Sequence, residues 1–393
     1  MNFELTDEQR AVRDLCREFA REVVAPAAPE LDEHHRFPLE IVRQMGDLGL
    51  FGIPFPETYG GSGGDFLSYC IAIEELSRAD AGVGITLEAA VSLGISPIHD
   101  FGSDAQRRDL LPDLLSGRRL WAFGLTEPGA GSDAGATTTR AELVHGAWRI
   151  NGAKQFITNS GTAISAGVTI TAVTGAREIS ALLVPIGTPG YRVLPPYRKL
   201  GWHSSDTHPL AFDDCEVPEA NVLGARGGGY RQLLRTLMGG RVAIAALSVG
   251  VAQACLDASL AYAKTRSAFG KAIAQFQAIQ FKLADMATEV ELARLITYKA
   301  AVTYAHAGIG ASDAAGTGAS EAAGLASMAK LYASEVSKRA ADQAVQIHGG
   351  YGFIEDYPVA RYYRDVKVNE IGEGTSEVQR ILIARSLGID AEL

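Results

Sequence analysis

Apolar residues recur at three- and four-residue steps through the first third of the chain. Thr6 is followed three positions later by Gln9, the spacing of a capping box, and Val12, Leu15, Phe19 and Val23 then share one helical face. This predicts a helix starting near Thr6 and ending before Pro26, because proline lacks the N–H that a helix interior needs. Helical spacing resumes over residues 39–48, 66–78, 86–101 and 105–116, between Gly- or Pro-containing breaks such as 59–64. From 120 to about 222 the texture changes to short alternating runs of Val, Ile, Thr and aromatic residues, the period of strands. Asn151-Gly152, between the runs 147–150 and 153–157, predicts a hairpin on a type I′ turn. After Gly227-Gly228-Gly229, long helical periods cover 230–265, 273–307 and 322–348, with a last helix over 376–386. Residues 308–324, rich in Gly, Ala and Ser, read as a flexible loop. The predicted architecture is α+β: an all-helical domain over 1–120, a β domain over 121–229 and a helical bundle over 230–393.

Composition narrows the function classes. The chain has 393 residues, 47% apolar and 21% charged, enough for about three domains with ordinary cores. Its 36 Lys and Arg against 46 Asp and Glu give a net charge of −10, with no basic stripe for a nucleic-acid backbone. Cys16, Cys70, Cys215 and Cys255 are widely spaced, which suits neither a disulfide framework nor a zinc knuckle and points to a reducing cytoplasm. The acidic start lacks the basic and apolar regions of a signal peptide. The uncharged apolar run 242–256 reads as a buried helix too short for a bilayer, so no membrane role is expected. None of the eight histidines makes a metal-ligand pair, and surface positions are expected for them.

Three segments carry candidate chemistry. Phe123-Gly124-Leu125-Thr126-Glu127-Pro128-Gly129-Ala130-Gly131-Ser132-Asp133 puts hydroxyls and glycines in a loop leaving a strand, where backbone N–H groups can approach a phosphate or a planar ring. Phe156-Ile157-Thr158 places an aromatic face and a hydroxyl on one strand face. Ile371-Gly372-Glu373-Gly374-Thr375-Ser376 holds a carboxylate between glycines just before a helix capped by Thr375 or Ser376. Such a carboxylate, buried against an apolar substrate, would have the raised pKa a carbon-proton base needs. Taken singly, the three also read as a tight turn, a core phenylalanine beside a solvated threonine, and a solvated loop glutamate.

In this order, FGLTEPGAGSD, QFITNSG, RSAFGKAIAQFQAIQFKLADM, QIHGGYGF and IGEGTSEVQR resemble blocks of the acyl-CoA dehydrogenase family over essentially the whole chain, in its short-, medium- or branched-chain bacterial type. The resemblance implies a barrel-like or orthogonal middle sheet, a C-terminal four-helix bundle and FAD as cofactor. It implies FAD contacts at Phe123, Leu125, Thr126, Gly131, Ser132, Phe156, Ile157, Thr158, Thr375 and Glu377. The adenine half would be bound by Arg266, Phe269, Phe276, Gln277, Gln346, Gly349 and Gly350, largely on a neighbouring subunit of a homotetramer built as a dimer of dimers. Ser132, Met238, Arg241 and Gly374 would meet an acyl-CoA substrate. Glu373 would remove the α-proton while the β-hydride leaves to flavin N5, giving a trans-2-enoyl-CoA, with electrons passed to an electron-transfer flavoprotein. Some relatives carry the base one residue before Arg241, where this chain has Gly240. Many carry Asp at the position of Met238, which cannot bond the CoA arm in the same way. Glu88 falls in the helix that floors the acyl pocket in relatives, or faces solvent. An acyl-CoA oxidase or other flavoenzyme on the same fold, and a non-catalytic helical scaffold, are the alternatives.

Overall fold

The computed structural model describes residues 4–307 and 317–389. Its N-terminal part holds α1 (Asp7–Phe19), α2 (Ala25–His34), α3 (Leu39–Asp47), α4 (Phe66–Ala79), α5 (Ala81–Glu88), α6 (Ser96–Phe101) and α7 (Asp104–Leu115). The Thr6–Gln9 capping box forms as expected. Pro26 does not end the helix. A π-helical turn, Ala20–Val24, passes the chain into α2, with the Ala25 N–H reaching back to the Ala20 carbonyl, so Pro26 falls in a first turn where no donor is needed. A second π-helical turn, Ala89–Ile95, joins α5 to α6.

Eight strands follow: β1 (Leu120–Gly124), β2 (Arg140–Val144), β3 (Ala147–Thr158), β4 (Ser165–Gly175), β5 (Glu178–Pro185), β6 (Tyr191–Val193), β7 (Thr207–Pro218) and β8 (Val222–Leu223). They form one sheet in the order β6-β7-β3-β2-β4-β5-β8, with β1 parallel to β4. The Asn151-Gly152 hairpin does not exist. β3 runs straight through it, and the turn between β2 and β3 is His145-Gly146, both at positive φ (51° and 81°). Asn151 instead exchanges hydrogen bonds with Asp214 on β7, and a Cβ on Gly152 would collide with Thr139.

The C-terminal part comprises α8 (Gly229–Thr265), the small ribbon β9 (Ser267–Ala268) and β10 (Lys271–Ala272), then α9 (Gln277–His306), α10 (Thr317–His348), α11 (Pro358–Asp365) and α12 (Ser376–Ser386). Helix α10 begins inside the stretch expected to be a loop; residues 308–316 lie outside the described residues.

The N- and C-terminal helices share one apolar core, and the sheet has its own. β5 belongs to both: Ala181 and Leu183 face the helices while Leu182 and Val184 face the sheet interior, the two-residue alternation of a strand. Two stretches, Ala81–Phe101 and Gly229–Thr265, are long and apolar enough to cross a bilayer, which corrects the reading of residues 242–256 as too short a run. Of their apolar windows, 89% and 78% are buried inside the protein, so both act as core helices. Their small residues let helices approach closely: Gly250 on α8 lies against the Glu74 carbonyl of α4, where a Cβ would not fit. Glu74 in turn accepts from Arg294 Nε and Tyr298 Oη of α9, each at 2.9 Å. All four cysteines are buried thiols. His203 and His208 are not surface residues: they lie 2.8 Å from Asp32 and 2.7 Å from Asp206, largely enclosed.

Inside the sheet domain Lys154 and Glu127 form a wholly enclosed ion pair at 2.7 Å. Lys154 Nζ also donates to the Leu125 carbonyl and to Thr171, while Glu127 accepts from Thr137, Thr138 and Thr139. Burial lowers the Lys154 pKa to about 8, and Glu127 is held well below the ordinary carboxylate range by its donors, Lys154 foremost, against the opposing effect of burial. Removing one partner strands the other's charge in a dry site. Glu127→Ala is therefore expected to cost about 3–5 kcal/mol in urea unfolding, and the double replacement of Glu127 and Lys154 by Met markedly less.

Candidate active site

The carboxylate segment 371–375 is fixed by bonds that its sequence spacing does not reveal. Gly372 N–H donates to the Val368 carbonyl at 2.8 Å, and Thr375 Oγ1 accepts from Val378 N–H to cap α12. The Gly374 carbonyl, at φ +96°, accepts from Lys330 Nζ of α10 at 2.7 Å and from Gln379 Nε2 at 2.9 Å. Glu373 itself sits at φ +54°, a left-handed conformation that costs a non-glycine residue energy and persists only where its surroundings impose it. The result is a carboxylate turned inward, with Oε2 enclosed and without a donor.

Gly240 makes room for it. A Cβ at 240 would overlap Glu373 Oε2, so α8 could carry no acid there while Glu373 holds this position. Arg241, the next residue, is buried, its pKa lowered by burial, and Glu373 is the anion nearest its charge. Glu88 at the end of α5 is 0% exposed; it does not face solvent, and neither of its oxygens has a protein donor. Burial raises Glu373 to about 7, opposed by contact with Glu88 and by the charges of Lys330 and Arg241. Lys330 is lowered to about 8 by the same burial. Buried, unpartnered polar atoms on Glu88, Arg241 and Glu373 thus come from three distant segments to one place, as in a site built to receive a ligand.

The first and second sequence candidates meet at one sheet end. Phe123 is the next-to-last residue of β1, and Leu125 and Thr126 open the loop to Gly131 and Ser132; Gln155 N–H on β3 donates to the Thr126 carbonyl at 2.8 Å and holds the loop to the strand. A register shift between Lys154 and Ile157, with φ +61° at Phe156, pushes the Phe156 ring outward to 61% exposure, 5.1 Å from the Tyr197 ring. Thr158 is partly covered beside it, but Ile157 points into the sheet core at 2% exposure, so its side chain cannot meet a cofactor. A Cβ on Gly129 or Gly131 would meet nothing within 4 Å. An exposed ring beside an open glycine backbone fits a planar heterocycle carrying phosphates, as FAD does. Met238 is half-buried against the helical core, and Thr375 spends its hydroxyl on the helix cap. Glu377 is exposed.

The remaining candidates gather elsewhere. Arg266 follows the end of α8 and lies over the Tyr351 ring at 5.5 Å, joining the ribbon to Gly349 and Gly350 after α10. Phe269, at the ribbon tip with φ +50°, is 96% exposed and sits edge-on to Phe276 at 6.2 Å; Gln277, next to Phe276, and Gln346, near the end of α10, are exposed. Residues that sequence reasoning missed are Lys330 and Tyr69, on helix faces that read as ordinary core. Among the described residues no group of His, Cys, Asp and Glu could hold a metal.

The chain matches three family models, described as acyl-CoA dehydrogenase N-terminal domain over residues 6–118, middle domain over 122–215 and C-terminal domain over 227–388. It is 50% identical to the probable acyl-CoA dehydrogenase YngJ of Bacillus subtilis over 98% of this chain and all of that protein. The solved butyryl-CoA dehydrogenase of Megasphaera elsdenii is similar at 41% identity and a TM-score of 0.92, covering 98% of this chain and 100% of that one. An acyl-CoA dehydrogenase of Bacillus anthracis solved in complex with FAD is similar at 34% and 0.92, covering 98% and 67%. The chain belongs to the acyl-CoA dehydrogenase family and is by that membership an FAD-dependent oxidoreductase.

Proposed function

We propose that the chain removes two hydrogens from the α and β carbons of a short saturated acyl-CoA thioester, with Glu373 as the α-proton base and an electron-transfer flavoprotein as electron acceptor. The observation that carries this reading is the enclosed Glu373 carboxylate, raised to about 7 by burial and facing Arg241 and Lys330. A thioester α-carbon is a weak acid, so its base must be both ionised and poorly solvated near neutral pH. FAD, when bound at the Thr126 and Phe156 end of the sheet, supplies the acceptor for the β-hydride. Glu373 takes the proton on its carboxylate, its backbone N–H faces the thioester carbonyl, and the Arg241 and Lys330 cations steady the negative charge that passes through the pocket. Similarity to a butyryl-CoA dehydrogenase supports the short chain length.

Geometry also supports a site shared between two copies. A Cβ on Gly135 would meet the Tyr230 ring at 3.8 Å, which places the flavin-side loop beside the start of α8. Arg266 lies 36 residues further along that helix, about 54 Å at 1.5 Å per residue. An extended dinucleotide does not reach so far, so the adenine-half residues serve the site of another protomer. We place two such dimers in a tetramer.

Glu373→Gln is expected to remain yellow while its anaerobic bleaching by butyryl-CoA falls by about 10²–10⁴-fold; full bleaching by this variant would refute the base. The same variant tests the linkage. Because the folded pKa is raised, the unfolded state binds fewer protons between pH 4.5 and about 7, and Glu373 makes the fold less stable as pH rises through that window. Glu373→Gln should therefore unfold at higher denaturant than the parent at about pH 8, by on the order of 1–3 kcal/mol, and the gain should vanish near pH 4.5. For the shared site, Glu373→Gln and Arg266→Glu are each expected to be inactive. Randomly mixed subunits should recover roughly a quarter of parental activity, since half the dimers are mixed and each mixed dimer has one site free of both changes. No recovery on mixing would place both residues in one protomer's site.

A further inference from the structure

One amide holds two successive carbonyls at the root of Glu373. Gln379, in the first turn of α12 and fully enclosed, donates from Nε2 to the Gly374 carbonyl at 2.9 Å and to the Glu373 carbonyl at 3.3 Å. The NH2 group has two hydrogens, one for each acceptor, and an amide turned the other way would set oxygen against oxygen. Gly374 is matched to this contact, since a Cβ there would lie 2.7 Å from Gln379 Nε2.

A bridge of this kind selects a backbone shape. Extended backbone turns successive carbonyls to opposite sides, out of reach of a single amide. The left-handed pair Glu373, at φ +54°, and Gly374, at φ +96°, brings both carbonyls to the same nitrogen. Left-handed geometry is unfavourable for glutamate, so a released turn would relax and carry the side chain away from Gly240, beside which Oε2 now lies. Lys330 Nζ meets the Gly374 carbonyl as well, at 2.7 Å, but it brings a charge to the pocket; Gln379 brings none, so its loss reports on aim alone. We propose that Gln379 is a positioning residue, which holds Glu373 in the left-handed turn by bridging the two carbonyls and thereby fixes the aim of the carboxylate at the substrate's α-carbon. The inference rests on the assignment of Glu373 as base. Substrate affinity should change little without Gln379, because its donors are spent on the turn.

The test compares the FAD-loaded parent with Gln379→Met, which keeps the side-chain length and loses both donors, each checked for parental flavin content. In anaerobic bleaching by butyryl-CoA the limiting rate is expected to fall by about 10–10²-fold, with the half-saturating concentration within about threefold of parental. A limiting rate within about twofold of parental would overturn the proposal, and so would a half-saturating concentration that rises in step with the lost rate. Should Gln379→Met fail to load flavin, Gln379→Glu, whose carboxylate accepts and does not donate, replaces it in both measurements. The second measurement needs no substrate. Glycine adopts the left-handed backbone without strain, so Glu373→Gly relieves in the parent a strain that Gln379→Met has already released. It is therefore expected to raise the thermal midpoint by about 1–3 °C more in the parent than in Gln379→Met. Equal shifts in the two backgrounds would show that Gln379 does not impose the turn. If butyryl-CoA fails to bleach the parent, the substrate reading has failed, and the unfolding comparison alone decides the role of Gln379.

Discussion

A carboxylate with one oxygen enclosed and without a donor is the constraint around which the rest is arranged. Desolvation disfavours its charge, and the left-handed backbone at Glu373 is itself worth about 1–3 kcal/mol of strain. Neither cost would be borne by an isolated loop. The segment holds because Lys330 and Gln379 both grip the carbonyl of the next residue, because Thr375 starts a helix immediately afterwards, and because α8 has no side chain at Gly240. The Glu373 carboxylate is thus kept in place by bonds to its neighbours rather than by bonds to itself.

The pocket lies where all three parts of the chain meet. Asn159, at the end of β3, donates to the Thr86 carbonyl of α5 at 3.0 Å. Asp80 caps α5 through Val83 N–H and also accepts from Ser204 of the loop before β7, while Arg361 of α11 donates to the Ala79 carbonyl. These ties lock the start of α5 to the sheet and to the C-terminal helices. The following π-helical turn then shifts the helix face just after Glu88. Insertions of this kind re-aim side chains inside otherwise regular helices and recur at functional sites. The placement of Glu88 in the core is therefore a property of the junction and not of α5 alone.

Much of this was legible in the chain. Capping at Thr6, the strand texture from 120 onward, the long helical periods and the glycine-flanked Glu373 all depend on residues a few positions apart, where local spacing carries the information. What was not legible depends on distant neighbours. Asn151-Gly152 has the composition of a turn, yet Gly152 is there because Thr139 crowds it, and His145-Gly146 turns the chain instead. Pro26 looks like a stop, but a π-helical turn upstream gives it a first-turn position. Lys330 and Tyr69 sit at apolar-face spacing on their helices, and nothing near them in sequence marks the Gly374 and Glu88 carbonyls to which they donate. Glu88 could be flagged and not assigned, since local spacing does not show that it is enclosed.

The far end of α8 shows the same dependence on a partner at a larger scale. Phe269 and Phe353 are 96% and 87% exposed, and Tyr351 and Ile354 beside them in sequence are also open to water. Single exposed apolar side chains are ordinary, but several aromatic residues at one end of a bundle, with an arginine stacked among them, mark a surface that is meant to be covered. The same segments carry the residues assigned to the adenine half of the cofactor, and α8 holds them too far from the protomer's own flavin loop to serve it. One arrangement answers both facts. In the shared site proposed above, a second copy would bring its flavin loop to this end, the cofactor would lie between them and the exposed rings would become part of an interface, so that cofactor retention and association would be two readings of one contact.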